Sequence, residues 1–364
     1  MSASQHRRLS LALADRPNRP IALGCGGCRL LPEVCGGLST ARPLFSCRDL
    51  CRCADEEAAG RCQYVCPGNP RRLVAATREV GGWALDLPAA PNQPAADLPE
   101  VVPVLYDGCR FDRPLGPDTV AVPLRKTFRM QSGRAVYGSR EELLSKFRLA
   151  PATNLIISGV SKEPPIERFW GRARLAGVYA ALKRLDPVLI TVPNFSPWSD
   201  VPREDNFYNM KRIAIVWYEM ATAGLPVALH PNSRTEFDWR RWEAFLRTHP
   251  EVHTLAYEFT TGGRDDDRGD RHCAHLVRLA GRVGRPLRLV LRGGLRYRSR
   301  LAEAFAAVTY LTAAPHLAAK NARRLTYSAS TGRITQFKTS LARQDSLNSL
   351  FTTNLDAYRR RLAV

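Results

Sequence analysis

Short apolar, β-branched runs recur along the chain with amphipathic segments between them, and this alternation limits the fold more than any other feature. NLIISGV (154–160), PVLITVPNF (187–195), LPVALHPN (225–232), VHTLAYEFT (252–260), PLRLVLRGG (286–294) and AVTYLTA (307–313) have the length and apolar continuity of strands covered on both faces. VVPVLYDG (101–108) and TVAVPL (119–124) read as two further strands. The intervening segments carry a helical period. In NFYNMKRIAIVWYEMATAG, Phe207, Met210, Ile213, Trp217 and Met220 recur at three or four residues, and Gly224 supplies the stop. DWRRWEAFLRTH places Trp239, Trp242 and Phe245 or Leu246 on one face, a pattern that favours helix packing over a base-stacking platform. SREELLSKFRL predicts a helix with Ser139 as N-cap and Glu142 at the capping-box position. Six or more β-α units in series predict an α/β fold with a TIM-like (β/α) barrel, the open doubly wound sheet being the alternative.

Ahead of this series lies a segment of different character. Eight of the ten cysteines stand between residues 25 and 66: Cys25, Cys28, Cys35, Cys47, Cys51, Cys53, Cys62 and Cys66. Such a stretch has too few apolar residues for a core of its own. A disulfide framework suits a small secreted domain, but no signal peptide is evident and a large domain follows, so a reducing cytosol and metal binding are expected. Eight thiolates divide into two four-coordinate sites for zinc or an iron–sulfur cluster. Cys25 and Cys28, with Gly26 and Gly27 between them, form a CxxC turn suited to either; Cys66-Pro67 matches the close of a ferredoxin run, but the other intervals do not. Cys47, Cys51 and Cys53 come one residue short of the radical-SAM spacing.

The expected organisation is therefore a disordered N-terminus (1–20), a cysteine-rich metal-binding module (21–84), a proline-rich linker or surface wrap (85–100), the barrel (101–330) and a basic C-terminal helical extension (331–364). No apolar run is long enough to span a membrane, which with the cysteine reading predicts a cytoplasmic protein without a membrane partner. Charge points to a partner: 54 Lys and Arg against 34 Asp and Glu give +20, and from Gly281 onward sixteen basic residues face three acidic ones, a local +13. That excess favours a polyanion through counterion release, so nucleic acid is the expected partner. A merely solvated basic face is the alternative.

Chemistry in such a barrel belongs at the C-terminal strand ends. The exit of PVLITVP carries Asn194, Ser196, Asp200, Arg203, Glu204, Asp205 and Asn206; Asp200 is the candidate acid, base or nucleophile, while Asp205 or Asn206 is expected to cap the next helix. The following exits supply His230, Asn232 and Arg234, and then Glu258, a carboxylate costly in an apolar strand unless it is used or is paired with a residue such as Arg292. Gly293, Gly294 and Leu295 allow close backbone approach to a planar or phosphate ligand, with Arg296, Arg298 and Arg300 either an anion site or a solvated helix start.

The ordered series VPNFSPWSDVPREDNFYNMKRIA, ALHPNSRTEFDWRRW, AYEFTTGG and LRGGL resembles the DpdA-like deazapurine DNA-modification proteins, distant relatives of the tRNA-guanine transglycosylases, over about residues 150–320. The resemblance implies a TIM barrel that exchanges a guanine in nucleic acid, DNA ahead of RNA, for a 7-deazaguanine-type base through a covalent glycosyl-enzyme. By position it gives Asp200 the acid/base role, Glu258 contact with the base edge or nucleophilic attack, and Gly293 to Leu295 part of the base pocket. The chain departs from the pattern twice: Thr312, Ala313 and Ala314 stand where the superfamily places its nucleophilic aspartate, and the late CxCxxC-His zinc site is absent. A non-catalytic nucleic-acid-binding protein and an iron–sulfur redox enzyme on a barrel are the rival readings.

Overall fold

The computed structural model describes residues 71–107, 111–197, 203–260, 266–339 and 346–363. Residues 21–70 of the expected cysteine-rich module, and with them all eight candidate metal ligands, lie outside the described residues, as does Asp200. Helix α1 (Arg71–Glu79) precedes strands β1 (Val101–Pro103) and β2 (Thr119–Pro123). Helix α2 (Arg140–Lys146) and β3 (Asn154–Ser158) follow, then α3 (Glu163–Arg168), α4 (Val178–Arg184), β4 (Leu189–Thr191), α5 (Arg203–Thr222) and β5 (Val227–Ala228). Next come α6 (Glu236–Thr248), β6 (Thr254–Glu258), α7 (Asp266–Val283), β7 (Arg288–Arg292), α8 (Arg298–Ala304), β8 (Ala307–Thr312) and α9 (Ala314–Lys320). The hairpin β9 (Arg323–Ser328) and β10 (Arg333–Lys338) leads to α10 (Leu347–Leu362).

The expected α/β organisation with parallel sheets is present, and each apolar run contains a strand. One sheet has the order β1-β8-β7-β6 and the other β2-β3-β4-β5, all pairings in both being parallel. Single parallel bridges join Val104 to Ala121 and Leu229 to Leu255. Every strand from β1 to β8 contributes to one buried cluster: Val102, Val104, Ala121, Ile156, Leu189, Ala228, Ala256, Val290 and Leu311. This explains the continuous apolar runs, since one side chain of each strand meets that cluster while its neighbours are buried on the opposite face.

The chain divides into two compact units. The described part of the first takes in residues from 71–89, 194–218 and 231–250; the second, residues from 90–193, 219–230 and 251–363. All ten described strands belong to the second. In the first, Tyr208 donates to Glu79 at 2.6 Å and packs edge-on against Trp83, while Lys211 donates to Ala84 O at 2.5 Å and Asp86 at 2.7 Å. Trp217 and Trp242 both pack edge-on against Phe245, so the aromatic stripe of α6 is core.

Caps follow the sequence closely. Ser139 Oγ accepts from Glu142 N, although the Glu142 carboxylate accepts from Gly138 N, one residue before the capping-box position. Gly224, at φ +77°, lies two residues past α5. The segment 85–100 has no helix or strand and is tethered instead, within the second unit by Ala90 N to Glu251 and Arg288 to Ala96 O. The boundary expected at residue 330 falls in the turn of the β9–β10 hairpin, and α10 is a packed element: buried Asn354 bridges Arg323 O and Leu325 N, and Asn348 bridges Arg113 O and Asp112 N. No described helix is long and apolar enough to cross a membrane.

Candidate functional site

In the first unit the polar residues after β4 are organised by asparagines. Asn209 donates to Ser196 O at 2.7 Å and accepts from Arg212 at 2.5 Å; Asn232 donates to Phe195 O at 3.0 Å, and Trp242 donates to Asn232 O at 3.0 Å. The buried Arg212 guanidinium lies over the rings of Phe195, at 4.1 Å, and Tyr208, at 4.5 Å. Asn194 is buried, and its carbonyl accepts from Ser196 Oγ. Asn194, Ser196 and Asn232 are therefore brought together, with Arg212 and Asn209 as partners that local sequence did not single out. Arg234 belongs to a cap: its backbone N–H and that of Thr235 donate to buried Asp238 in a capping box that starts α6. Arg203 is the first residue of α5, and its side chain lies outside the described atoms.

One expectation here is corrected. Asp205 and Asn206 do not cap α5, because the helix already begins at Arg203; they are in its first turns and buried. An acidic first turn, Glu204 and Asp205, suits the positive end of the helix dipole without serving as its cap. Burial, with the Glu204 charge adding to it and Arg212 opposing it, pushes the Asp205 carboxyl up to about 8. Its Oδ1 is buried with no hydrogen-bond partner among the described residues.

The second unit assembles a different cluster at the C-terminal ends of its strands. Tyr106 and Asp107 follow β1. Arg292, the last residue of β7, donates to the Tyr106 hydroxyl, and the Arg125 guanidinium stands 5.7 Å from the centre of the same ring. Asp107 pairs with Lys320 of α9 at 2.6 Å. Burial raises the Asp107 carboxyl, but the Lys320 hydrogen bond and charge, with His316 and Lys126 adding, outweigh it and hold the group below its ordinary range. His316 is buried against Tyr106 and Phe111, and neither ring nitrogen has a hydrogen-bond partner among the described residues; burial, the largest influence on it, lowers its pKa. Ser158, at the end of β3, buries a hydroxyl that is likewise unpartnered among the described residues.

The expected residues of this unit fall around that cluster. Glu258 ends β6, half-buried and opposite Arg292 in register, and accepts from Thr260 N at 2.9 Å and from the Thr260 hydroxyl. Gly293 and Gly294 have φ of +78° and +75°; a Cβ on the first would meet Thr260 Cγ2 at 2.9 Å and one on the second Phe259 Cδ2 at 2.5 Å. Their need for glycine is thus met by the β6 exit itself. Leu295 opens a short 3-10 turn, and Arg298 and Arg300 at the start of α8 have the carboxylate partners Glu100 and Asp270. His230 is fully buried at the end of the β5 segment.

Thr312 clarifies one departure noted in the sequence. Its hydroxyl accepts from Ala314 N at 3.3 Å and helps start α9. The neighbouring strand β1 pairs with β8, Pro103 opposite Thr312, and brings Asp107 to the helix that follows β8. Periodicity alone hides Asp107, because VVPVLYDG reads as strand throughout; an Asp-Gly pair immediately after an apolar run was the available signal.

Among the described residues, no group of three or more His, Cys, Asp or Glu side chains is placed to hold a metal ion. No protein-family model matches the chain, and no curated protein is significantly similar to it.

Proposed function

We propose that β1 to β8 close into one TIM-like (β/α) barrel and that its C-terminal face carries base exchange on nucleic acid, a guanine leaving and a 7-deazaguanine-type base entering. The barrel reading is supported by the direct β1–β8 pairing, the two bridges joining the sheets and the central cluster fed by all eight strands. The likeness to DpdA-like proteins supplies the reaction.

The observation that carries the chemistry is Asp107: an ionised carboxylate beside the end of β8, supplied by β1 where β8 itself has Thr312. In this reading an Asp107 oxygen bonds to the sugar C1′ as the bond from C1′ to the departing base breaks. The departing base takes a proton from a general acid. The incoming base then gives a proton to the conjugate base of that acid, attacks C1′ and releases Asp107. Glu258 contacts the base edge beside Gly293, and Arg125, Lys126 and Lys320 supply positive charge for flanking phosphates. A base in a duplex must leave the stack to reach such a face.

The eight cysteines of the N-terminal segment have the donor chemistry for two four-thiolate sites, filled by zinc or an iron–sulfur cluster, and their role in this reading is to shape a substrate-holding module. The deciding experiment incubates the full chain with DNA, and separately with tRNA, in the presence of labelled guanine or 7-deazaguanine. Label should enter polymer, and Asp107→Asn should slow incorporation by about a thousandfold or more. Asp107→Asn exchanging within about tenfold of the wild type would remove the assignment.

A further inference from the structure

The hairpin β9–β10 has two faces of different character. Leu325, Tyr327 and Ile334 point inward and pack with Ala314, Ala318, Ala357 and Tyr358 of α9 and α10. Strand alternation turns the other set outward: Arg324 opposite Phe337, Thr326 opposite Thr335, and Ser328 opposite Arg333. Phe337 is 58% exposed, and Arg324, Thr326, Arg333 and Thr335 are exposed with it. The sixteen residues RRLTYSASTGRITQFK hold four Lys or Arg and no Asp or Glu.

We propose that this outward face binds single-stranded nucleic acid, with Phe337 stacking on one unpaired base and Arg324 and Arg333 contacting the phosphates beside it. An exposed ring costs solvation and adds nothing to a core that the inner face already completes, whereas every base presents a π-face to it. The arginines on the same face supply counterion release, and the threonines and serine between them are suited to phosphate and sugar oxygens. A duplex keeps its base faces stacked and offers Phe337 nothing, so the preference is for an unpaired strand. An acidic peptide would use the arginines without needing the ring. The proposal deepens the base-exchange reading, on which it rests for its partner: a strand held here is the flank of a nucleotide already out of its stack.

The test is fluorescence anisotropy with labelled single-stranded DNA and RNA oligomers and a duplex of the same sequence, over a range of salt, using the full chain and Phe337→Ala, Arg324→Gln and Arg333→Gln. Phe337→Ala should weaken single-strand binding about fivefold or more and leave duplex binding nearly unchanged. Each arginine substitution should reduce the slope of log affinity against log salt by about 0.7. Because anisotropy reads binding with no incoming base present, loss of binding and loss of chemistry are read separately. Wild-type affinity and slope in all three hairpin variants would overturn the proposal. So would a wild type that binds no oligomer, or hairpin substitutions that weaken binding only to phosphatidylserine vesicles or to a poly-glutamate peptide.

Discussion

Asp205 allows a stability prediction with a sign and a size. Its carboxyl titrates at about 8 in the fold, whereas an unfolded aspartate titrates near about 3.9. A raised folded pKa means that the folded state holds its proton longer, so the stabilising contribution is complete below about pH 4 and is lost as pH rises through about 8. Each pH unit in that window is worth about 1.4 kcal/mol, and the whole interval about 6 kcal/mol. An amide in place of this carboxyl would be neutral throughout and nearly the same shape. Asp205→Asn should therefore gain stability over the wild type as pH rises, by about 1.4 kcal/mol per unit from pH 4 and levelling above pH 8. Urea unfolding at half-unit pH steps, followed by tryptophan fluorescence, reads this directly, because Trp217, Trp239 and Trp242 lie in the same unit. Taking the difference between the two proteins cancels every other titrating group. Glu204→Gln removes the second cause of the shift and should lower the pH at which the loss of stability levels off, while leaving the part due to burial. A variant-minus-wild-type difference that stays flat between pH 4 and 8, or falls, would refute the account of Asp205 as a buried, proton-holding carboxyl.

Lys320→Met leaves the effect of burial on Asp107 less opposed, so the Asp107 carboxyl should titrate at higher pH; a 13C carboxylate NMR titration compared with Asp107→Asn identifies the resonance, and an unmoved midpoint would contradict the pairing. In the wild type the depressed pKa contributes stability that is present above about pH 4 and lost as pH falls through the folded value, and the partly exposed pair limits the loss in Lys320→Met to about 1 kcal/mol. Gly294→Ala combines a left-handed backbone with a Cβ 2.5 Å from Phe259 Cδ2, and should cost about 2–5 kcal/mol in urea unfolding. A cost under about 1 kcal/mol would mean that the turn relaxes freely and that glycine there serves ligand approach instead.

The strand series, the Ser139 cap, the Gly224 stop and the buried stripe of α6 were legible without coordinates, because periodicity and capping are local: each residue's role depends on neighbours within a turn or a pleat. The alternation also carried the α/β class with parallel strands. The candidate site was legible only in pieces. Glu258 and the glycine pair were found at their strand exits, and Asn194, Ser196 and Asn232 at theirs, but their hydrogen-bond partners were not evident. Asp107 went unnoticed because nothing in YDG shows the lysine 213 positions later that holds its charge. Asp205 looked like a cap because an acidic residue just ahead of an apolar helical period fits the N-terminal pattern, and its burial inside the helix is not a local property. The hairpin was hidden by composition, since RRLTYSASTGRITQFK reads as basic and polar until the strand register puts Leu325, Tyr327 and Ile334 on one side and Phe337 with two arginines on the other. Sequence alone determined where β1 to β8 and the helices α2, α5 and α6 form, since those preferences act between near neighbours. Which charges become paired, which carboxyl keeps its proton and which aromatic stays in water was decided only by the tertiary structure, because desolvation and ion pairing depend on groups brought together from distant parts of the chain.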